Sequence, residues 1–542
     1  MPLRRVACAL AAASVLAGCG GGAHRVVVAQ APVTPIAVAP AARSAYMWTV
    51  RTVGRPPSVA VENAAAGTNA WRLPGPRGLI GGEAHGAIVG YVARDVIAAG
   101  EVERVYVSAP GARWVSLRIY RMGWYGGKGG RLVLVSGRLR AVGQPGCAHS
   151  FSTGLTECDW RPSLSFRVPS ALPSGVFIVK LRGSNGAESD CLFVVRSARA
   201  APVVVEIPTA TYEAYNAWGG DSLYPGGTLR VGATGANRGV EVSYDRPYAT
   251  QTGAGQFFIR DVAIVRFLER YGYPVSYTTI DSIDRDPTQL YGARAVIDVG
   301  HSEYWSPRDE FAFTHALDRG ANLIFISSDT MAWRVRFARA SSASSQAGEA
   351  DHRIIAYKQN AASDAARAQP TGLYPGGGAS LVGSAFDGCI TPRVAQKGPP
   401  VYRLYEWAPS PALQPRWLFA GTGLWASSKV PGIVGYELDN RSPLSPANAA
   451  VVGGGYGAAC GRSGEPAPAP GYGAASTLYT ARSGAFVFAT GTLGWLYALS
   501  PVPQASPDAP RAPDPRVVAM TRNVLAHALS SRRARSHASR RP

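Results

Sequence analysis

Between about residues 60 and 198, apolar and polar positions alternate in short runs: RVYVSA at 104–109, WVSLRIYRM at 114–122, RLVLVSGRLR at 131–140, SLSFRVP at 163–169, GVFIVKLRG at 175–183 and DCLFVVRS at 190–197. A period of two, with turn residues between runs, predicts strands that each bury one face, and their spacing predicts an all-β sandwich over residues 48–199. Within it, YRMGWYGGKGGR sets Arg121, Trp124 and Tyr125 among glycines. No Lys-Ser/Thr follows and no helical pattern opens there, so the segment reads as a glycine-rich hairpin and not as a phosphate loop.

After Ser197 the period changes. PVVVEIP, PVSYTTI, ARAVIDVG and ANLIFISS read as strands, and GQFFIRDVAIVRFLERYG and SPRDEFAFTHALDRG as helices between them. Alternating strands and helices predict a parallel-sheet α/β domain over 200–530, of the glutamine-amidotransferase or flavodoxin-like kind. Ser306 and Pro307 supply an N-cap and an N1 proline, and Gly272 and Gly320 stop the two helices. Residues of about 340–480 lose all clear period and read as a β-rich insertion. GAFVFATGTLGW and PRVVAMTRNVLAHAL then close the domain with a strand and a helix, and 531–542 is a basic, disordered tail.

The first 18 residues combine Arg4 and Arg5 with an apolar stretch too short to span a membrane, which predicts an export signal. Leu16-Ala17-Gly18-Cys19 resembles the lipobox of bacterial lipoproteins, implying cleavage before Cys19 and a lipid on its thiol. Residues 19–47, rich in Ala and Pro, then read as a flexible tether. These features place the protein in the bacterial cell envelope, facing the periplasm or the cell surface and held to the membrane by its anchor. In such an oxidising compartment disulfides persist, and Cys147 with Cys158 and Cys389 with Cys460 are the expected pairs, leaving Cys191 buried and unpaired. Of the net charge of +20, Arg4 and Arg5 fall in the signal and five arginines in the tail, and the remaining excess of +13 is scattered, which suits adhesion to anionic lipid or polysaccharide. No nucleic-acid motif accompanies it, so a nucleic-acid partner is not expected.

Ligands of parallel sheets lie outside the carboxyl ends of the strands. Four segments occupy such places: TATYEAYNAWGGDSLY, GHSEYW, SDTMAWR and YELD. In GHSEYW, His301 and Glu303 are two residues apart and project to one face if extended geometry persists; alone, the pair reads better as a structural contact. Tyr212, Tyr215 and Tyr224 are crowded into the first segment. Two phenols near a carboxylate ionise only beside a strongly positive neighbour, and a trivalent iron is one. The eight histidines form no cluster with zinc spacing.

AYNAWGGDSLY, GHSEYW, SSDTMAWRVRF and GIVGYELD, following YRMGWYGGKGGR in that order, resemble the large (beta) subunit of the N,N-dimethylformamidase family over roughly residues 60–530. The resemblance implies one mononuclear non-haem iron, Fe3+, on two tyrosines and a glutamate, here Tyr215, Tyr224 and Glu303. It also implies His301 and Glu437 as nearby acid, base or polarising groups. Asp329 stands where the family pattern has asparagine; an ionised carboxylate cannot donate a hydrogen bond to a developing oxyanion as an amide does. A small partner subunit or a homo-oligomer is implied as well. The function that follows is an exported, lipid-anchored metallo-hydrolase acting on the C–N bond of a small amide. The alternative is a non-catalytic cell-envelope protein binding polysaccharide or protein through the sandwich. A thiol nucleophile like that of glutamine amidotransferases is a poor third reading, because no cysteine occupies the strand-to-helix turn it needs.

Overall fold

The alternating runs at the start of the chain form two facing sheets. Tyr46–Trp48, Gly130–Ser136, Trp114–Met122, Gly175–Gly183, Glu188–Arg196 and Val96–Ala98 follow one another in the first, antiparallel except at the last pair. Leu164–Arg167, Val102–Ser108 and Val89–Val92 form the second. Leu117 and Ile119 meet Val105, Val107 and Phe166 across the gap, while Arg118 between them is exposed. From Tyr120 the alternation stops because the strand is covered on its other face too, where Tyr120 and Met122 share a core with Val262 and Phe267.

In this computed structural model the described residues are 45–74, 87–224, 238–249, 252–390, 392–393, 401–402, 404–457, 459–460, 472–503 and 509–530. The expected signal, Cys19, most of the tether and the basic tail lie outside them. The chain enters its first strand at Tyr46. Cys147 and Cys158 form a disulfide, and Cys191 is a buried free thiol. Cys389 is disulfide-bonded and stands opposite Cys460 in antiparallel register; the Cys460 side chain is outside the described set. Among the described residues no helix is long and apolar enough to cross a membrane.

The expectation of a glutamine-amidotransferase or flavodoxin-like parallel domain is corrected by the second sheet system, which is mixed, in a molecule dominated by strand. Val275–Thr279, Val203–Ile207, Ala295–Gly300, Asn322–Ser327 and Phe486–Ala489 run parallel. Tyr472–Thr480, Ala450–Gly457, Tyr405–Pro409 and Val430–Val434 then continue the same nine-stranded sheet antiparallel. The segment expected as an insertion thus supplies nearly half of the sheet. The physical reason lies in its connections: strands joined without helical crossovers pair antiparallel. Longer helices are few, chiefly Val262–Arg270, Pro307–Asp318 and Pro515–Ser530. The Pro307–Asp318 helix starts where the sequence places it, with a capping box between Ser306 and Asp309.

The glycine-rich hairpin locks the sandwich onto the mixed sheet. Arg121, fully buried, donates from Nη1 and Nη2 to the two carboxylate oxygens of Glu269, each at 2.7 Å. Its remaining donors reach Tyr125 Oη at 3.0 Å and the Ser174 carbonyl at 2.7 Å, and Tyr277 Oη donates to Glu269 at 3.2 Å. Such a buried pair depends on these contacts, which satisfy both terminal nitrogens of the guanidinium and leave only its Nε without a partner.

Beneath the parallel strands, Glu206 and Asp298 stand opposite each other in register, both completely buried. Burial pushes the Asp298 carboxyl up to about 7, with Ser302 and Ser327 opposing. Burial and Asp298 push Glu206 well above the ordinary carboxyl range, and Asp309 and Asp261 add to it. Both carboxyls therefore keep their protons to higher pH in the folded protein than in the unfolded chain. An acid whose pKa is raised on folding contributes stability that is complete below its unfolded value of about 4 and is lost as the pH rises through the folded one. The melting temperature is expected to fall between about pH 5 and about pH 8, and Glu206→Gln, which cannot ionise, to flatten that fall. Thermal melts of both proteins across the pH range check this; parallel curves would contradict it.

Candidate metal centre

Each segment of the site leaves the sheet just after a strand. Val203–Ile207 runs into the short helix Thr209–Ala214, which sequence patterning does not announce, and Tyr215 is its C-cap. His301 and Glu303 follow Ala295–Gly300, Asp329 follows Asn322–Ser327, and Glu437 opens Glu437–Asn440 after Val430–Val434. Gly300 makes the turn possible: its φ is +70°, and a Cβ there would collide with Asp261 Oδ1. Asp329 also has a positive φ of 54°, which aspartate tolerates better than most residues. Asp439 secures that turn, one of its oxygens accepting from the Asp329 N–H at 2.7 Å and from Ser328 Oγ at 2.9 Å.

These turns bring together all six residues singled out from the sequence. His301 Nε2 lies 3.3 Å from Glu303 Oε2, 3.4 Å from Asp329 Oδ2 and 3.9 Å from Glu437 Oε1. Tyr215 and Tyr224 stack with ring centroids 4.3 Å apart, Tyr215 lies 5.4 Å from the His301 ring, and Tyr224 Oη donates to Glu303 Oε1 at 2.5 Å. Tyr212, the third tyrosine of its segment, turns elsewhere and donates to Asp261 Oδ2 at 2.5 Å.

Electrostatically this is a site short of positive charge. Burial pushes His301 down to about 3, against the pull of Glu303, so the imidazole is neutral at physiological pH. Burial and then Asp329 raise Glu303; burial, Asp329 and Glu303 hold Glu437 well above the ordinary carboxyl range. Burial and Glu303 likewise raise both Tyr215 and Tyr224. Three carboxyl groups around a neutral imidazole repel one another unless they hold protons or surround a cation; a multivalent cation opposes the upward shifts of the carboxyl and phenol groups and keeps the imidazole neutral.

The donors fit a metal ion. One ligand atom each from His301, Asp329 and Glu437 lies within 4.8 Å of the others. Glu303 Oε2 and His301 Nδ1 are buried without a hydrogen-bond partner, as expected of atoms reserved for a ligand. Glu303 Oε2, 3.3 Å from His301 Nε2, and the Tyr215 ring, 5.4 Å from the His301 ring, lie beside that trio, and Tyr224 reaches it through its hydrogen bond to Glu303 Oε1. Mainly anionic oxygen with a single nitrogen suits a hard, highly charged ion better than a multi-histidine zinc site does.

Several surrounding residues escaped sequence reasoning. Trp333 Nε1 donates to Glu303 Oε1 at 2.6 Å. Tyr304 Oη donates to Tyr224 Oη at 2.8 Å, and Lys358 Nζ to Tyr304 Oη at 2.8 Å while lying 3.4 Å from the centroid of the Tyr224 ring. Burial lowers Lys358 to about 7, with Glu303 opposing. Arg260 Nη1 donates to Tyr436 Oη at 2.8 Å beside His301. Tyr304, Trp333 and Tyr436 lie inside the quoted motifs and were within reach; Lys358 sits in an aperiodic stretch and carried no signal.

Fold and site together define a mostly-β protein with a buried candidate metal centre at the ends of its sheet strands. The chain belongs to the N,N-dimethylformamidase beta subunit-like family, whose C-terminal model matches residues 116–509. That span contains every residue of the site. The family is one of dimethylformamidase-like hydrolases and takes its name from one subunit of a multi-subunit amidase. No curated protein matches the chain significantly.

Proposed function

We propose that this protein is an exported, lipid-anchored, iron-dependent hydrolase of small linear amides. The observation that supports it most is the convergence of His301 Nε2 on three buried carboxylates beside the stacked Tyr215–Tyr224 pair. Tyr215, Tyr224 and Glu303 hold the Fe3+ in this reading, with His301, Asp329 and Glu437 around it. When bound, the ion supplies Lewis-acid polarisation of the amide carbonyl.

The chain's own groups move the protons. Glu437 takes a proton from water as the water oxygen bonds to the carbonyl carbon, and returns it to nitrogen as the C–N bond breaks, giving a carboxylic acid and an amine. His301 stays neutral and stabilises charge through its ring N–H. Asp329 presents a carboxylate where the family pattern has an amide, which favours amides that still carry N–H donors over fully N-alkylated ones. The lipobox-like Leu16–Cys19 supports an envelope location, and the family's name supports a small partner subunit or a homo-oligomer.

Amine release from a panel of primary, mono- and dialkyl amides by the iron-loaded chain tests the proposal. Glu437→Gln is expected to lower kcat, measured per bound iron, by about 10²–10⁴. Absence of hydrolysis across the panel by iron-loaded protein would leave the alternative of a non-catalytic envelope protein.

A further inference from the structure

The two oxygens of Glu303 are treated differently by the fold. Oε1 accepts from Trp333 Nε1 at 2.6 Å and from Tyr224 Oη at 2.5 Å; Oε2, equally buried, accepts from none and lies 3.3 Å from His301 Nε2. The chain behind Tyr224 is directional. An indole N–H can only donate, and Lys358 Nζ stands as the donor to Tyr304 Oη. Lys358 Nζ donates to Tyr304 Oη, which donates its own O–H to Tyr224 Oη, which in turn donates to Glu303 Oε1. A network that served only to satisfy buried polar atoms would leave neither oxygen bare, since each unmet one costs about 1–3 kcal/mol.

We propose that Trp333, Tyr304 and Lys358 are positioning residues that turn Glu303 so that Oε2 is its ligating atom, and that Tyr304 fixes the Tyr224 oxygen beside it. This rests on the metal-centre reading above. Trp333 closes Oε1 to the ion whether or not the ion is bound. Tyr304, held by Lys358, keeps one hydrogen bond on the Tyr224 oxygen after that phenol has given up its proton. Outer-shell partners of this kind orient ligands and change metal affinity by about 10–100-fold.

The test uses the full chain, with ferric iron titrated against a competing chelator and the visible phenolate-to-iron band recorded. Tyr304→Phe keeps its ring but takes the hydroxyl acceptor from the buried Lys358 Nζ, so its metal-free melting temperature should fall modestly and be restored in the double variant Tyr304→Phe, Lys358→Met. Its iron affinity should fall about 10–100-fold, and its band should move to longer wavelength as the phenolate loses a hydrogen bond. Lys358→Met should move the band the same way. Trp333→Phe should weaken iron binding comparably without moving the band, because its hydrogen bond goes to the carboxylate. If Trp333→Phe destabilises the metal-free protein, Tyr304→Phe alone decides. Unchanged affinity in Tyr304→Phe, with the wild type loaded, overturns the assignment and leaves the metal centre standing. A wild-type chain that takes up no iron overturns both.

Discussion

Glu303→Gln is expected to release the metal while leaving the metal-free protein as stable as the wild type or more so. The carboxylate is buried at 2% exposure, is raised by its own desolvation and by Asp329, and lies 3.3 Å from a neutral imidazole. An amide keeps an acceptor for Trp333 and Tyr224 and places an N–H group among the remaining carboxylates, which removes one like-charge repulsion. Iron affinity should drop by more than about 100-fold, beyond what loss of an outer-shell partner costs. Metal content after dialysis and melting curves of the metal-free proteins check the two halves together. A structural Glu303 gives the reverse pattern: stability falls and metal content stays the same.

Glu269→Ala has the largest effect expected on the fold itself. It strips both carboxylate contacts from the Arg121 guanidinium, which is 0% exposed, and leaves a charge with no water to replace them. Breaking one side of such a pair costs about 3–5 kcal/mol, whereas replacing both partners by apolar side chains is often far less harmful. The denaturation midpoint of Glu269→Ala should therefore fall well below that of the double variant Arg121→Met, Glu269→Leu. Additive losses in the double variant would contradict the interlock.

The site was more legible in the sequence than the fold was. AYNAWGGDSLY, GHSEYW, SSDTMAWRVRF and GIVGYELD each carry their chemistry on short turns after strands, so the order of the motifs survived an error about the sheet that holds them. His301, Glu303, Asp329 and Glu437 meet because the ends of three strands meet. Lys358 was invisible: its place over Tyr224 depends on long-range packing of a stretch with no period, and one lysine in such a stretch ordinarily faces solvent.

The misreading of the sheet has a physical cause in particular strands. Ala450–Gly457, AVVGGGYG, has hardly any side chain to alternate, and Gly453 and Gly455 are there because Trp407 and the Glu406 carbonyl leave no room for a Cβ. Sequence periodicity fails where close backbone approach selects small residues. Thr209–Ala214 failed for another reason: six residues beginning TAT show neither helical period nor propensity, and all six are buried by tertiary packing. In the sandwich, by contrast, one face of Val102–Ser108 and of Leu164–Arg167 meets solvent, so their pattern could be read directly.

The metal content and visible spectrum of the purified full chain test the central claim most directly. One ferric iron per chain with a broad phenolate-to-iron band is the predicted result. Folded protein that remains colourless and iron-free after exposure to ferric iron would contradict it.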